Sequence, residues 1–212
     1  SNSAENPNLK PLTRDQFFPT PILIAGIERR CKVATDRNPN RGRPFGLYGN
    51  QFQTASRDAI RRATEVINPP TTTNLICMAA LGNGRGPYKL EQVVDMFTTA
   101  YTSFFAAKHE SLRIAKEKSI ESPNVIVHTG NWGTGAFGGD RELMAALQLA
   151  AAEYAGIDEL VYHTFDDAGT RGYNKGLAFY NELKETENQS FQQGFINKIM
   201  ERKFYWGQGD GN

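Results

Sequence analysis

An eleven-residue stretch, GNWGTGAFGGD, covers residues 130–140 and joins a short apolar run, VIVHT, to an alanine-rich segment, RELMAALQLAAAEY. Five of the eleven residues are glycine. A buried strand that runs into glycines and continues as a helix belongs to few folds. Without Cβ atoms the backbone can approach a ligand closely, and the helix's first N–H groups and positive dipole end face the same point. Such a loop suits phosphate or diphosphate. It contains no lysine, and GxxxxGK[ST] is absent, which argues against a Walker-type nucleoside triphosphatase. Asp140 reads as the N-cap of the following helix.

Gly133, Gly135 and Gly138 also spell GxGxxG, with Asp166 or Asp167 beyond the next strand, as a dinucleotide fingerprint would require. Three features weigh against it. Gly130, Asn131 and Trp132 separate the strand from the first of these glycines, and the distance to the acid exceeds the usual gap of about 20 residues. Too few strands follow to build a dinucleotide-binding sheet.

The rest of the chain alternates strands with helices. Residues 1–20 are polar and proline-punctuated and read as an extended arm. PILIAG reads as a buried strand, and RRCKVATDRNPNRGRPFGLYGNQF, with Pro39, Pro44 and three glycines, as a long surface excursion. From Thr54, the spacing of Ala55, Ala59, Ala63 and Val66 predicts a helix that Asn68-Pro69-Pro70 stops. NLICMAAL predicts a second strand. GNGRGPY then leads into a helix presenting Val93, Phe97, Ala100, Tyr101 and Phe104 on one face. NVIVHT and LVYHTF are the third and fourth strands, separated by the loop and a helix over residues 140–154 that faces inward through Leu143, Leu147, Ala151 and Tyr154. Residues 166–212 hold one or two amphipathic helices. Continuous apolar strands alternating with helices predict a largely parallel sheet covered on both faces.

Composition narrows the function classes. The 24 Lys and Arg against 23 Asp and Glu leave a formal charge of +1, which gives no global pull toward nucleic acid or anionic membrane. Any anion site must be local, and no specific nucleic acid is expected. No apolar run approaches the roughly 20 residues of a spanning helix, and the first ten residues lack the pattern of a signal peptide. Cys31 and Cys77 suggest neither a disulfide framework nor a metal cluster, and they favour a reducing intracellular compartment. His109, His128 and His163 show no ligand spacing, although the last two fall at the ends of neighbouring strands. No metal and no cofactor are expected.

The segment TGNWGTGAFGGDRELMAALQLAAA, followed by LVYHTF, closely resembles the carboxyl-terminal half of the macrodomain in poly(ADP-ribose) glycohydrolases. There a near-identical glycine loop precedes an alanine-rich helix and a Y-x-T-F strand. Weaker likeness upstream, in PILIAGIER, CMAAL and the helix through Ala100-Tyr101, extends the resemblance over roughly residues 20 to 185. It implies a macrodomain-like, three-layer α/β/α fold with a mixed, largely parallel sheet, incomplete at its N-terminal side, over a single domain at residues 21–212. It also implies that Thr129, Gly130, Asn131, Gly133, Thr134, Gly135, Ala136, Phe137 and Gly138 wrap the diphosphate and distal ribose of ADP-ribose, while Phe165 stacks on adenine.

The family's reaction needs a carboxylic acid to protonate the leaving oxygen. The family carries it in a GGG…QEE signature upstream of everything matched here, and this sequence contains no Gly-Gly-Gly. Glu91-Gln92 falls at a helix start in the wrong region. Asp140, Asp166 and Asp167 lie nearest the expected site, but capping and solvated acids are the commoner role. No catalytic residue is assigned. The expectation is a domain that binds ADP-ribose or poly(ADP-ribose) without the catalytic segment, a pseudo-enzyme, with an upstream polypeptide completing the domain. A structural or interaction module with an incomplete pocket, or a dinucleotide-binding fragment, are the alternatives.

Overall fold

The computed structural model describes residues 12–16, 18–185 and 191–209. Most of the expected arm, residues 1–11, and the last three residues lie outside that range. The chain gathers into two compact units: residues up to Leu23 together with those from Ile76 onward, and Ile24–Leu75.

The larger unit is built on helices. Strands β1 (Arg14–Asp15) and β2 (Phe18–Pro19) pair antiparallel. Arg14 fixes this part of the arm to a long helix by donating from both terminal nitrogens to Asp95, at 2.9 and 2.7 Å. Helix α3 runs over Leu90–Glu117 and buries Val93, Met96, Ala100 and Phe104 at intervals of three and four residues, the period of a helix face. Thr99 and Ser103 are buried on it as well. Each donates its hydroxyl to the carbonyl four residues back, at 2.8 and 2.6 Å, so neither polar group is orphaned.

Strands β5 (Ile126–Gly130) and β6 (Glu159–His163) form a parallel pair, with Val127 beside Leu160 and Gly130 beside His163. Helix α4 (Arg141–Tyr154) connects them and is buried on nearly every side, which its alanines permit. Ala151 and Ala152 pack with Ala100 and Phe104 against Val127 and Leu160, covering one face of the pair. Ile126, His128, Glu159 and His163 are exposed.

Helix α5 (Asp167–Glu185) crosses α4 at close range. A Cβ on Gly176 would stand 2.6 Å from the Glu142 carbonyl oxygen, and one on Gly172 would stand 2.5 Å from Arg141 Cβ. Glycine is therefore what sets the distance between these helices. Phe179, Tyr180 and Leu183 of α5 join Phe195 and Ile199 of α6 (Phe191–Arg202), and Phe204 and Trp206 beyond it, in the main core with Leu143, Met144 and Leu147.

The smaller unit holds most of a long ribbon, β3 (Ile22–Val33) with β4 (Thr64–Cys77). Contacts from Gly26 to Asn74, Lys32 to Glu65 and Ala34 to Ala63 progress in opposite senses, so the ribbon is antiparallel. Between its strands lie a 3-10 turn (Pro39–Arg41), a single helical turn α1 (Asn50–Gln53) and helix α2 (Arg57–Ala63).

The mixed α/β character is as expected, but the strands pair differently. PILIAG belongs to a strand that is mostly exposed and continues through RRCKV, which the sequence assigns to a surface excursion. The helix predicted from Thr54 begins after the Ser56 cap and ends at Ala63. From Thr64 the β-branched Thr, Val and Ile residues pair with β3 instead, and the prolines fit because a two-stranded ribbon leaves an edge where no N–H is required. The second expected strand stops at Cys77 and pairs with the first, and residues 78–81 continue as irregular chain. Among the described residues, parallel pairing is confined to β5 and β6.

Candidate functional site

The glycine loop leaves β5 at Gly130 and is tightly folded on itself. The Trp132 N–H donates to the Gly130 carbonyl at 2.7 Å, and the Thr134 N–H to that of Asn131 at 3.2 Å. Gly138 donates to Gly135 at 3.0 Å, and Gly139 to Gly133 at 2.9 Å. Gly133 and Gly138 have φ of 74° and 69°, the left-handed region where a Cβ is costly, and this explains glycine at both. Gly133 is also close to its surroundings, since a Cβ there would lie 2.8 Å from Ala80 Cβ. Asp140 closes the loop and caps α4, its carboxylate accepting from the Leu143 N–H at 2.8 Å. The Asp140 N–H donates to the Tyr88 hydroxyl at 2.9 Å, and burial pushes that phenol up to about 12. Tyr88 therefore stays neutral across the physiological range.

These internal bonds leave a defined set of donors. Among the described residues, the backbone N–H groups of Gly133, Gly135, Ala136 and Phe137 have no protein acceptor. Consecutive N–H groups of this kind form a concavity that accepts anion oxygens. Asn131 adds a second unsatisfied group. Its Nδ2 donates to the Thr164 carbonyl at 2.8 Å, but its Oδ1 is buried without a hydrogen-bond partner. A buried acceptor left unmade is costly, so a ligand donor there would relieve it.

The sequence-predicted residues divide by what their side chains do. Asn131 ties the loop to the segment carrying Phe165, which is 83% exposed with φ of 67°. Phe137 is 47% exposed and lies over Gly82, 2.6 Å from where a Cβ would be. Its carbonyl accepts from the Asn83 N–H at 3.1 Å. Thr129 turns inward and donates to Gln148, and Thr134 is buried with its hydroxyl 3.1 Å from the Asn131 carbonyl. Gly130 lies against His163, whose carbonyl oxygen would be 2.7 Å from a Cβ. Gly138 and Ala136 meet the chain's own C-terminal segment. Gly207 donates to the Gly138 carbonyl at 2.9 Å, and a Cβ on Gly209 would stand 2.4 Å from the Ala136 oxygen.

Sequence reasoning missed three participants. Gln148, fully buried on α4, donates to the carbonyls of Gly130 at 3.2 Å and Met144 at 3.0 Å while accepting from Thr129. A lone amide inside LMAALQLAAA was the available signal. Gly169 brings α5 under the loop, where a Cβ would stand 2.6 Å from Asn131 Nδ2. Trp206 stacks on Tyr88 with ring centroids 4.3 Å apart and covers Gly84.

The nearby acids are engaged as caps: Asp140 at α4, and Asp166, which accepts from the Gly169 N–H at 2.6 Å, at the start of α5. His128 and His163 lie 2.9 Å apart on adjacent strands. Among the described residues no group of three or more His, Cys, Asp or Glu is placed to hold a metal ion, and no helix is long and apolar enough to cross a membrane.

Residues 21–172 match the family model described as poly(ADP-ribose) glycohydrolase, macro domain fold. A probable poly(ADP-ribose) glycohydrolase 2 of Arabidopsis thaliana is 25% identical over 181 residues, 71% of this chain. The match spans 35% of that relative, about a third of its length. The match covers the glycine loop, the strands on either side of α4 and Phe165, and the chain belongs to the poly(ADP-ribose) glycohydrolase family of macrodomain fold.

Proposed function

We propose that the glycine loop and Phe165 form a binding site for ADP-ribose, as the free nucleotide or as a unit of poly(ADP-ribose). One observation carries this reading: among the described residues four N–H groups of the loop have no protein acceptor, and in the same loop Asn131 Oδ1 is buried without a partner. The N–H groups suit the diphosphate oxygens, and Asn131 Oδ1 suits a ribose hydroxyl donor. Phe137 offers apolar surface to a ribose. The exposed ring of Phe165 offers a face to adenine, a contact that contributes about 1–3 kcal/mol.

Binding rather than hydrolysis is the activity proposed for this chain. Glycosidic cleavage needs a positioned acid, the sequence contains no GGG…QEE segment, and Asp140 and Asp166 are held as helix caps. The β5–β6 pair, covered by helices on one face, is read as the start of a three-layer, largely parallel sheet that an upstream polypeptide would extend. A second reading, a structural module, is favoured by the C-terminal segment packed on Gly138 and Ala136. Calorimetry of the chain with ADP-ribose, AMP and NADH separates these readings. ADP-ribose is expected to bind most tightly. Equal or tighter binding of NADH would indicate a dinucleotide site, and no binding of any of the three would leave the structural module.

A further inference from the structure

The near-zero net charge of the chain conceals an uneven distribution. Within Ile24–Leu75 there are nine Lys and Arg against four Asp and Glu, a net charge of +5, whereas the remaining residues carry fifteen against nineteen, a net −4. Eight of the nine are arginine, the cation suited to planar recognition of phosphate. Three of the basic residues are neutralised within the unit. Arg43 is buried and paired with Asp36 at 2.9 Å, Arg30 pairs with Glu28 at 2.7 Å, and Lys32 pairs with Glu65 at 3.0 Å.

A fourth, Arg37, donates to the Pro44 carbonyl at 2.7 Å, and the other five are left over. Arg29, Arg41, Arg57, Arg61 and Arg62 are exposed and have no ion pair among the described residues. Arg57 and Arg61 stand one turn apart on α2, an arrangement in which like charges repel until an anion lies between them. Arg62 and Arg41 line one open cleft of about 470 Å³ with Asn40 and Gly42. Gly42 has φ of 72°, and the Arg62 guanidinium lies 3.4 Å from where its Cβ would be, so the cation is packed against the turn. The same unit exposes aromatic rings: Phe45 is 74% exposed and Phe52 42%. Exposed phenylalanines in the same unit as unpaired guanidinium groups can stack bases while the cations hold the backbone, the combination by which single strands are bound without sequence preference.

We propose that Ile24–Leu75 carries a sequence-independent binding surface for single-stranded polynucleotide, with Arg41, Arg57, Arg61 and Arg62 on the phosphates and Phe45 stacking on a base. The surface lies within one unit of the fold and does not depend on the function proposed for the glycine loop. A chain with a base on every unit can engage both the cations and the rings, which a polyanion lacking bases cannot.

The test is fluorescence anisotropy of the full 212-residue chain with fluorescein-labelled oligo(U) and oligo(dA) of about 20 nucleotides, across salt concentrations. Four phosphate contacts give a slope of log K against log salt of about −3 and a loss of about 50-fold in affinity between 50 and 200 mM salt. The pair Arg41→Glu and Arg62→Glu is expected to weaken binding at least tenfold and to flatten the slope. The milder pair Arg57→Gln and Arg61→Gln should do so to a smaller extent with circular dichroism unchanged. Phe45→Ala should weaken binding about fivefold or more at an unchanged slope. Comparable binding of oligo(U) and oligo(dA) is expected of a surface that reads no sequence, and a preference of about tenfold or more for either would overturn its sequence independence. Salt-independent binding, or variants that bind like the parent, would overturn the proposal. So would heparin binding as tightly as the oligonucleotides, or poly(ADP-ribose) outcompeting them at equal charge, since each would give the surface to another polyanion.

Discussion

At the residue scale the glycines of the loop are not equivalent, and two substitutions should separate their roles. Gly138 has a positive φ, and a Cβ on it would stand 3.0 Å from both the Gly207 oxygen and the Gly209 nitrogen. Gly138→Val is expected to destabilise the fold by about 1–3 kcal/mol, visible as a lowered melting temperature without ligand. Gly135 is outside the left-handed region, and its N–H has no acceptor among the described residues. Gly135→Val should leave the melt within a few degrees of the parent and weaken ADP-ribose binding at least tenfold, because a branched side chain blocks approach to the N–H groups. Unchanged affinity in Gly135→Val would make the loop a connector. That this loop approaches something closely was legible from five glycines in eleven residues. What each approaches was not: Gly138 meets the chain's own C-terminal segment, about seventy residues later in sequence. Thr129 illustrates the same limit. Its position at a strand end was readable, but its hydroxyl turns to Gln148 because of how α4 packs on β5.

At the scale of elements, the helices carry the fold, and α4 packs closely on α5 through glycine. Gly176→Val would place methyl groups against the Glu142 carbonyl and Ala145 Cβ, already 2.6 and 2.7 Å from a bare Cβ. Separating the helices is expected to cost about 1–3 kcal/mol or more. For a chain of this length that lowers the melting temperature by about 2–12 °C. Gly194→Ala on α6, where nothing lies within 4 Å, is the control and should be neutral or stabilising by up to about 1 kcal/mol. Equal melts for the two variants would show that the glycine crossing does not hold α5 in place. Helices α3 and α4 were readable because their apolar period and caps are local properties. Strand β4 was not. Helical spacing in Ala55, Ala59 and Ala63 continues formally to Val66, and only pairing with β3 decides that Thr64 begins a strand.

For the whole molecule, the expected outcome is binding without turnover. Incubated with poly(ADP-ribose) at concentrations that saturate binding, the chain should release little or no ADP-ribose. Loss of a general acid or base removes about 10²–10⁴-fold in rate, so a trace of product is compatible with this expectation. Robust release would overturn it and direct attention to Asp167→Asn, since Asp140 and Asp166 are committed to caps. The sequence by itself determined the family and the loop with its flanking strand and helix, because these are carried by contiguous residues whose spacing encodes them. Tertiary structure alone decided that PILIAG pairs with NLIC in a ribbon, and that Gln148 holds the start of the loop while residues 207–209 line its other side. It also decided which loop N–H groups keep no acceptor. Each depends on partners distant in sequence, and hydrogen bonds and close approaches between such partners leave no periodic trace along the chain.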